Sequence, residues 1–375
     1  MIRKKIAIFS GFYLPFLGGV ERYTNKLSAE LVKIGYDVII VTTNHNGLPD
    51  YEKNDHIAIY RLPSHNLFQN RYPMLKHNSK YRDLMVRLDT EKVDYVLCNT
   101  RFQLTTLLGV KFAKRHRLKS IVIDHGSSHM SVSSRVLDFF GAIYEHGLTG
   151  LVKRYTKSFY GVSKRSSDWL GHFGIKSSGE FYNAVDDNLY EKFKNTKSKF
   201  SDKVVISYAG RILREKGVDT LLEAFSALNS KNTILVIAGD GPILADLKEK
   251  YSNKNIIFTG QLNHDDMMRL FVTTDIFCYP SKYPEGLPTA ILEAGIMKSA
   301  IIATNRGGTK EVIISPEYGM IIKEDIDSLR TALDNLIGNP DLVSKMKSNI
   351  YARVKDNFTW HKTTLLVAKR LQENK

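Results

Sequence analysis

Short apolar runs alternate along the chain with longer amphipathic stretches. Residues 6–9 and 38–41 are continuous apolar runs, which predict parallel strands buried on both faces over about 4–10 and 36–42. Between them, Val20, Tyr23, Leu27 and Leu31 recur at helical spacing. The same alternation resumes at residue 203. This pattern indicates a doubly wound α/β architecture, and a length of 375 residues favours two domains.

The most informative stretch is residues 283–295, Tyr-Pro-Glu-Gly-Leu-Pro-Thr-Ala-Ile-Leu-Glu-Ala-Gly, between two predicted strands. Pro288 suits the first position of a helix, where its missing N–H needs no acceptor. The free N–H groups at the helix start favour an anion. Glu285 lies just outside that start, and Glu293 lies about one and a half turns inside the helix. Either carboxylate can accept two hydrogen bonds from adjacent sugar hydroxyls.

Two glutamates with seven residues between them, and with Gly286-Leu287-Pro288 behind the first, resemble the donor-binding signature of retaining glycosyltransferases with the GT-B fold, and more narrowly glycosyltransferase family four. The resemblance implies that Glu285 contacts the donor sugar and Glu293 the ribose, with Gly286 and Leu287 beside the phosphates. One departure is visible. The stretch 294–300 lacks the Gly-x-Pro that the family usually carries there.

A cationic pair, Arg211 and Lys216, follows the predicted strand at 203–210. Two such residues at a strand end can hold a diphosphate, although the residues alone equally describe an exposed surface pair. Gly-Arg-x-x-x-x-Lys-Gly is similar to the phosphate-binding pair of the family. By the same resemblance, the loop after Gly260 that contains Leu262 borders the nucleobase.

The first half carries weaker signals. Gly18 and Gly19 precede a predicted helix without a G-x-G-x-x-G fingerprint. The resemblance places them beside the donor phosphates, in a loop that also borders the acceptor. His125 ends a predicted strand, where ligands bind in α/β sheets. The resemblance implies that His125 contacts the donor sugar, with His129 as the competing candidate.

Charge is unevenly distributed. Residues 1–186 contain 27 Lys and Arg against 16 Asp and Glu, or +11 of the total of +15. This excess favours an anionic partner: nucleic acid, phospholipid or a phosphorylated acceptor. A predicted helix over 107–118 has a basic face, which fits either a solvated surface or an anionic membrane. The basic residues on and directly after this helix are Lys111, Lys114, Arg115, His116, Arg117 and Lys119.

Other sequence features narrow the location and the chemistry. Cys98 and Cys278 lie in apolar runs and predict buried thiols in a reducing compartment, and no Cys/His spacing indicates zinc. The apolar stretch 136–152 is too short and too polar to span a bilayer. Asp265 and Asp266 are adjacent at a helix start, so helix capping explains them better than metal binding.

These observations and the resemblance together define the expected fold. We expect two Rossmann-like doubly wound domains facing a cleft, an acceptor-side domain over 1–186 and a nucleotide-sugar-binding domain over 187–355. A C-terminal helix within 356–375 is expected to cross back to the first domain. The polar, lysine-rich segment 179–200 predicts the linker.

The resemblance implies a retaining hexosyltransferase of bacterial surface-polysaccharide assembly, with a nucleotide-diphosphate sugar as substrate and no cofactor. Arg211, Lys216, Glu285 and His125 are the predicted catalytic residues, and no metal is expected. A UDP-sugar is favoured over a GDP-sugar, and the acceptor is a lipid-linked or soluble glycan. The expected location is the cytoplasm, peripheral on an anionic inner membrane face. The alternatives are a nucleotide-sugar epimerase of the same fold and a non-catalytic basic binding protein, although no nucleic-acid motif is present.

Overall fold

The computed structural model describes residues 3–16, 18–45, 47–67, 72–130, 134–228 and 232–373. The chain divides into two compact units, residues 1–182 with 360–375 and residues 183–359. Each unit is built on one sheet of mainly parallel strands with helices between them. The predicted α/β class with two Rossmann-like units is confirmed.

The sheet of the first unit has the strand order β3-β4-β2-β1-β6-β7-β8, with β5 paired to β4. Its described strands are β1 Lys4–Phe9, β2 Tyr36–Asn44, β3 Tyr51–Asn54, β4 Ile57–Leu67, β5 Tyr72–Leu75, β6 Tyr95–Asn99, β7 Ser120–Asp124 and β8 Ser158–Gly161. Strands β3 and β5 pair antiparallel with β4, and the other pairs are parallel. The first five helices are α1 Gly19–Lys33, α2 Ser79–Thr90, α3 Leu104–Arg115, α4 Arg135–Val152 and α5 Lys164–Leu170, and a 3-10 turn follows at Gly171–Phe173.

Strand β1 shows why the apolar runs are continuous. Ile6, Ala7, Ile8 and Phe9 are all fully buried, because helices cover both faces of the sheet. Strands β3 to β5 are not predicted from the sequence. Charged residues between 52 and 61 interrupt their apolar pattern, since this part of the sheet lies toward its edge.

The sheet of the second unit has the order β11-β10-β9-β12-β13-β14, with all pairs parallel. Its strands are β9 Val204–Ala209, β10 Thr233–Ala238, β11 Ile256–Gly260, β12 Ile276–Tyr279, β13 Ala300–Thr304 and β14 Met320–Ile322. Its helices are α6 Leu189–Phe193, α7 Val218–Ser226, α8 Leu244–Lys250, α9 His264–Val272, α10 Thr289–Ile296, α11 Thr309–Val312, α12 Ile326–Ile337 and α13 Pro340–Asn357, and a 3-10 turn lies at Arg214–Lys216. The strand order reverses between β9 and β12, which is the kind of position where α/β sheets bind ligands.

The segment predicted as a linker is largely packed. Phe181, Leu189 and Phe193 are buried, and α6 lies inside the segment. The Val185 N–H donates to the Phe358 carbonyl at 2.9 Å, which ties the start of the second unit to its end. The predicted linker segment therefore includes buried residues and the short helix α6. The units divide after Tyr182 and before Trp360.

The last described helix, α14 Trp360–Glu373, belongs to the first unit. Trp360 packs edge-on against Tyr23 of α1, with 5.1 Å between ring centroids. Thr363 Oγ1 donates to the Tyr182 carbonyl at 3.2 Å. The C-terminal helix thus crosses back to the first unit, as expected.

The contact of α3 with the sheet yields a test of the fold. A Cβ on Gly109 would lie 2.6 Å from both Cys98 Sγ and Phe9 Cγ. We predict that Gly109→Ala lowers the free energy of unfolding by about 1–3 kcal/mol, because overpacking outweighs the gain in helix propensity. Urea titration at neutral pH measures it.

The matched control is Gly150→Ala on α4, where a new Cβ meets nothing within 4 Å. This substitution is expected to stabilise the protein by up to about 1 kcal/mol. Equal effects of the two substitutions would contradict the close approach of α3 to the sheet.

Candidate functional site

The carboxyl ends of β9 and β12 lie side by side, because the two strands pair in parallel. Strand β9 leads into Gly210, Arg211 and the turn at Arg214–Lys216, and β12 leads into the loop that carries Glu285. Neighbouring parallel strands end at one edge of the sheet. The topology therefore brings the predicted cationic loop and the predicted glutamate loop to the same edge of the second unit.

Lys216 and Glu285 form an ion pair at this edge, between Lys216 Nζ and Glu285 Oε1. The same oxygen accepts hydrogen bonds from the Tyr279 hydroxyl at 2.8 Å and Ser281 Oγ at 3.1 Å. Only 15% and 14% of the Lys216 and Glu285 side chains are exposed, so solvent screens the pair weakly. Burial and the nearby Glu285 carboxylate raise the pKa of Tyr279 well above its ordinary value, and its hydroxyl remains a donor.

Close backbone packing fixes both loops. Gly217 has a φ of +71°, and a Cβ there would lie 2.0 Å from the Pro280 carbonyl oxygen. Gly307 has a φ of +54°, and its Cβ would lie 2.5 Å from the carbonyl oxygens of Glu285 and Gly286. The Gly308 N–H donates to the Gly286 carbonyl at 2.7 Å. The loop around Glu285 is thus held between two glycine-containing loops, which leave no room for side chains at those positions.

Arg211 follows β9 on the same loop as Lys216, but its side chain is exposed. Within the described residues its guanidinium has no ion-pair partner, and no contact joins it to Glu285. Its carbonyl accepts a hydrogen bond from the Tyr208 hydroxyl at 3.0 Å, which holds the backbone there. The guanidinium therefore keeps its donors available for an anion.

Helix α10 begins at Thr289, and Pro288 is its N-cap with a ψ of 114°. Pro288 is therefore not the first helical residue, because its backbone is extended. The Ile291 N–H donates to the Pro288 carbonyl at 3.2 Å, which leaves the N–H groups of Thr289 and Ala290 as the first-turn donors for an anion beside Gly286. Leu287 is buried, and its carbonyl accepts from Asn183 Nδ2 at 2.7 Å. Glu293 is half-buried on α10.

Leu262 is half-buried in the loop between β11 and α9. The cap of α9 is Asn263, whose Oδ1 accepts from the Asp266 N–H at 2.9 Å. The prediction that the adjacent aspartates cap this helix is therefore wrong. The helix begins at His264, which places Asp265 and Asp266 in its first turn, and Asp265 pairs with Lys192 at 3.1 Å.

In the first unit, Gly18 is the N-cap of α1, and a Cβ there would lie 2.3 Å from Glu21 Oε2. The Glu21 side chain is buried and lies beside the Gly18 backbone, and burial raises the pKa of Glu21. A carboxyl group therefore already lies at part of the position where the donor phosphates were expected, beside Gly18 and Gly19. In the sequence, the Gly18-x-x-Glu21 spacing at the helix start indicates that this carboxyl group can lie beside Gly18.

His125 lies immediately after β7, with Nε2 3.1 Å from Asn99 Oδ1. Asn99 Nδ2 donates to Thr24 Oγ1 at 2.7 Å, so Oδ1 is the acceptor and the His125 proton is assigned to Nε2. Burial lowers the pKa of His125 to about 3. His125 can therefore offer a sugar a neutral imidazole, not a cation.

The structure also shows functional candidates that the sequence analysis missed. Tyr279 and Ser281 support Glu285, and neither belongs to a recognisable spacing. Arg101 is fully buried; its Nη1 donates to both Asp124 oxygens at 2.9 and 2.8 Å, and its Nη2 donates to Glu145 at 2.7 Å. In the sequence, this buried group was marked only by the position of Asp124 at a strand end, directly before His125. His129 contacts Glu145, away from the Asn99 partner of His125.

Comparison with known proteins identifies the class. The family description Glycosyltransferase Family 4 matches residues 17–189, and Glycosyl transferases group 1 matches residues 190–353. An uncharacterized glycosyltransferase of Methanocaldococcus jannaschii is 27% identical over 97% of each chain. A GDP-mannose-dependent alpha-(1-6)-phosphatidylinositol monomannoside mannosyltransferase of Mycolicibacterium smegmatis is 23% identical over 92% of each chain.

Among solved structures, Anabaena HepE in complex with UDP-glucose superposes with a TM-score of 0.74 and 16% identity, covering 98% of this chain and 99% of that chain. The chain is a glycosyltransferase of the family 4-like type with the GT-B fold. Along its described residues, none of the helices is both long enough and apolar enough to cross a bilayer.

The lowered pKa of the half-buried His125 imidazole predicts a pH dependence of stability. The unfolded chain binds this proton near pH 6.5 and the native chain near pH 3, so the unfolded chain holds more protons between those values. Stability is full above about pH 6.5 and is lost as the pH falls. We predict that this single group lowers the free energy of unfolding by about 2 kcal/mol between pH 7.5 and pH 5.

Urea unfolding of the wild type and of His125→Gln at both pH values measures this contribution, which the variant should lack. His361→Gln, at an exposed position on α14, is the control and should keep the wild-type pH dependence. An unchanged pH dependence in His125→Gln would refute the assignment.

Proposed function

We propose that the chain is a retaining, metal-independent hexosyltransferase that moves a sugar from a nucleotide-diphosphate sugar to a glycan acceptor. One observation supports this most: the shielded Lys216–Glu285 pair lies at the shared edge of β9 and β12, in the loop that leads into α10. The Lys216 cation can pair with the negative charge of a pyrophosphate, and the Glu285 carboxylate can accept hydrogen bonds from the hydroxyl groups of a sugar.

In the proposed mechanism, the pyrophosphate binds at Lys216, Arg211 and the first N–H groups of α10. These donors neutralise the charge that develops on the leaving nucleotide, so no metal is required. Lys216 moves from Glu285 to the phosphate when the donor binds. Glu285, still oriented by Tyr279 and Ser281, then accepts hydrogen bonds from the sugar.

The remaining roles follow from position and from the family resemblance. Glu293 accepts from the ribose hydroxyls, and Leu262 lies against the base. His125 contributes a neutral hydrogen-bonding group toward the sugar. The acceptor hydroxyl attacks from the face that the nucleotide leaves, and a donor phosphate oxygen takes its proton, which retains the anomeric configuration.

Two of the similar proteins named above differ in the nucleotide that their names give. The Mycolicibacterium enzyme is named as GDP-mannose-dependent, and the Anabaena structure holds UDP-glucose. We propose a UDP-sugar as donor, in line with the structural neighbour. A thermal-shift comparison of UDP-glucose, GDP-mannose and an ADP-sugar tests this choice, and stabilisation by GDP-mannose alone would overturn it.

We predict that Arg211→Ala and Lys216→Ala each lower the rate of nucleoside diphosphate release by roughly 10²–10³, because each removes one preorganised donor to the leaving group. The rate is measured with the nucleotide sugar that binds best. Lys248→Ala is the control, since Lys248 is an exposed cation on α8 of the same unit.

Circular dichroism and the unfolding midpoint of each variant separate lost chemistry from lost folding. Turnover at wild-type rates in the double variant Arg211→Ala, Lys216→Ala would exclude the proposed phosphate site. Donor turnover without any acceptor would instead favour an epimerase.

For the acceptor, we propose a lipid-linked glycan at an anionic membrane surface, as in polysaccharide assembly. Helix α3 exposes Lys111, Lys114 and Arg115 and packs against α4. Helix α4 exposes Phe139 to 64% and Phe140 to 61% of their surfaces. Further exposed apolar residues of the same helix are Val136, Leu137, Ile143 and Leu151. Cations beside exposed aromatic rings suit a surface that combines negative headgroups with acyl chains.

We predict that the protein sediments with liposomes containing phosphatidylglycerol and that 0.5 M NaCl, about ten times a low-salt buffer, releases most of it. The double substitution Phe139→Ser, Phe140→Ser should weaken binding roughly tenfold or more, because each inserted ring contributes about 1 kcal/mol or more. Leu365→Ser, at an apolar position of α14 exposed to 47%, is the control. Equal binding to neutral liposomes would contradict the electrostatic part of the proposal.

A further inference from the structure

Three histidines from separate parts of the first unit converge. His129 lies in the loop after β7, His146 lies on α4, and His172 lies in the 3-10 turn at Gly171–Phe173. His172 Nε2 lies 3.2 Å from His129 Nε2 and 3.1 Å from His146 Nε2. One ligand atom from each residue falls within 4.8 Å of the other two.

Hydrogen bonding does not explain this arrangement. A ring nitrogen carries either one hydrogen or one lone pair. His172 Nε2 can therefore form a linear hydrogen bond with only one of the two nitrogens that face it. The other contact is then at best a bent share of the same hydrogen or lone pair, and protonating further rings would add repulsion between cations.

A bound cation would resolve the conflict, because three lone pairs can point at one ion. Zinc binds histidine nitrogens at 2.0–2.1 Å in tetrahedral geometry, which separates neighbouring ligand nitrogens by about 3.3 Å. The two observed separations of 3.1 and 3.2 Å are close to that spacing. The third pair of ligand atoms lies within 4.8 Å, so it has to close by no more than about 1.5 Å to accommodate an ion.

The surroundings fix the required tautomer of His129. Its Nδ1 lies 3.0 Å from Glu145 Oε2, so the Nδ1 hydrogen points to the carboxylate and the lone pair remains on Nε2. Histidines that bind metals commonly donate their other N–H to a carboxylate in this way. Glu145 is itself held by Arg101 Nη2 at 2.7 Å and the Met130 N–H at 2.8 Å.

The charges buried beside His129 also favour a bound cation. Arg101, Asp124 and Glu145 are fully buried, and one guanidinium faces two carboxylates. With both carboxylates ionised, this group carries one negative charge. A cation held by His129 would lie next to that charge and compensate it.

Packing orients the rings while leaving them accessible. Trp169 stacks on His172 with centroids 4.5 Å apart and an interplanar angle of 6°. Phe173 packs against His146 at 4.7 Å and edge-on to His129 at 5.7 Å. His146 and His172 are exposed, so an ion can enter from solvent without any rearrangement of the core.

We propose that His129, His146 and His172 bind one divalent transition-metal ion, with Zn²⁺ the ion that this ligand set fits best and a fourth position open to water or an anion. The ion ties the segment that follows His125 to α4 and to the turn after α5. It lies in the first unit, whereas the cations proposed to bind the donor phosphates lie in the second.

The test uses the full chain, stripped with EDTA and dialysed, with ZnCl₂ as the only addition. Isothermal titration calorimetry and elemental analysis after gel filtration should find one equivalent of zinc per chain. The unfolding temperature should rise with zinc concentration. Replacement by Co²⁺ should give the intense visible absorption of a four-coordinate site.

The variants His146→Gln and His172→Gln should each lose the stoichiometric zinc, whereas His361→Gln should keep it. Glu145→Gln should keep the ligands but bind zinc roughly 10–100-fold more weakly. Zinc binding that is equal in the His146→Gln, His172→Gln double variant and in His361→Gln would overturn the proposal. The absence of an equivalent in the wild type, or a weak six-coordinate Co²⁺ spectrum, would do so without any variant.

Discussion

The close approach of backbones around the Glu285 loop is the constraint on which the candidate donor site depends. Gly217 lies against the Pro280 carbonyl on one side, and Gly307 lies against the carbonyls of Glu285 and Gly286 on the other. Because neither contact leaves space for a Cβ, the backbone sets the position of the Lys216–Glu285 pair. A lysine and a glutamate on free surface loops would lose side-chain entropy to meet, and such exposed pairs contribute little. Here the loops are already fixed, so the charges are preorganised.

The two units differ in the electrostatics of their candidate residues. The second unit offers an exposed guanidinium, a shielded ammonium group and an uncapped helix start. The first unit offers the neutral imidazole of His125 and a helix whose first turn is already engaged by Glu21. A carboxylate at that helix start opposes a second anion. Phosphate charge is therefore better matched to the second unit, and uncharged hydroxyl groups are better matched to the first.

The sequence predicted most strands to within one or two residues, because buried parallel strands are continuous apolar runs. It failed where that signal is interrupted, as in β3 to β5, and where short packed elements are polar, as in α6. The cap of α9 was misplaced because Asn263 and the two aspartates are all acceptable capping residues. Lys216 and Glu285 are 69 residues apart, so only the resemblance to a family could suggest that they act together. His129 and His172 are 43 residues apart on different elements, and no short spacing marked them as neighbours.

The path of the chain has a consequence for biosynthesis. Residues 183–359 form the second unit from one uninterrupted segment, whereas the first unit needs residues 360–375 to supply α14. Because domains generally fold as units during translation, the second unit can complete its sheet on the ribosome while the first still lacks its last helix. Until α14 arrives, the surface of α1 that receives Trp360 remains uncovered. The first unit thus begins before the second along the chain but is completed after it, which leaves its α1 surface open to chaperones in the nascent chain.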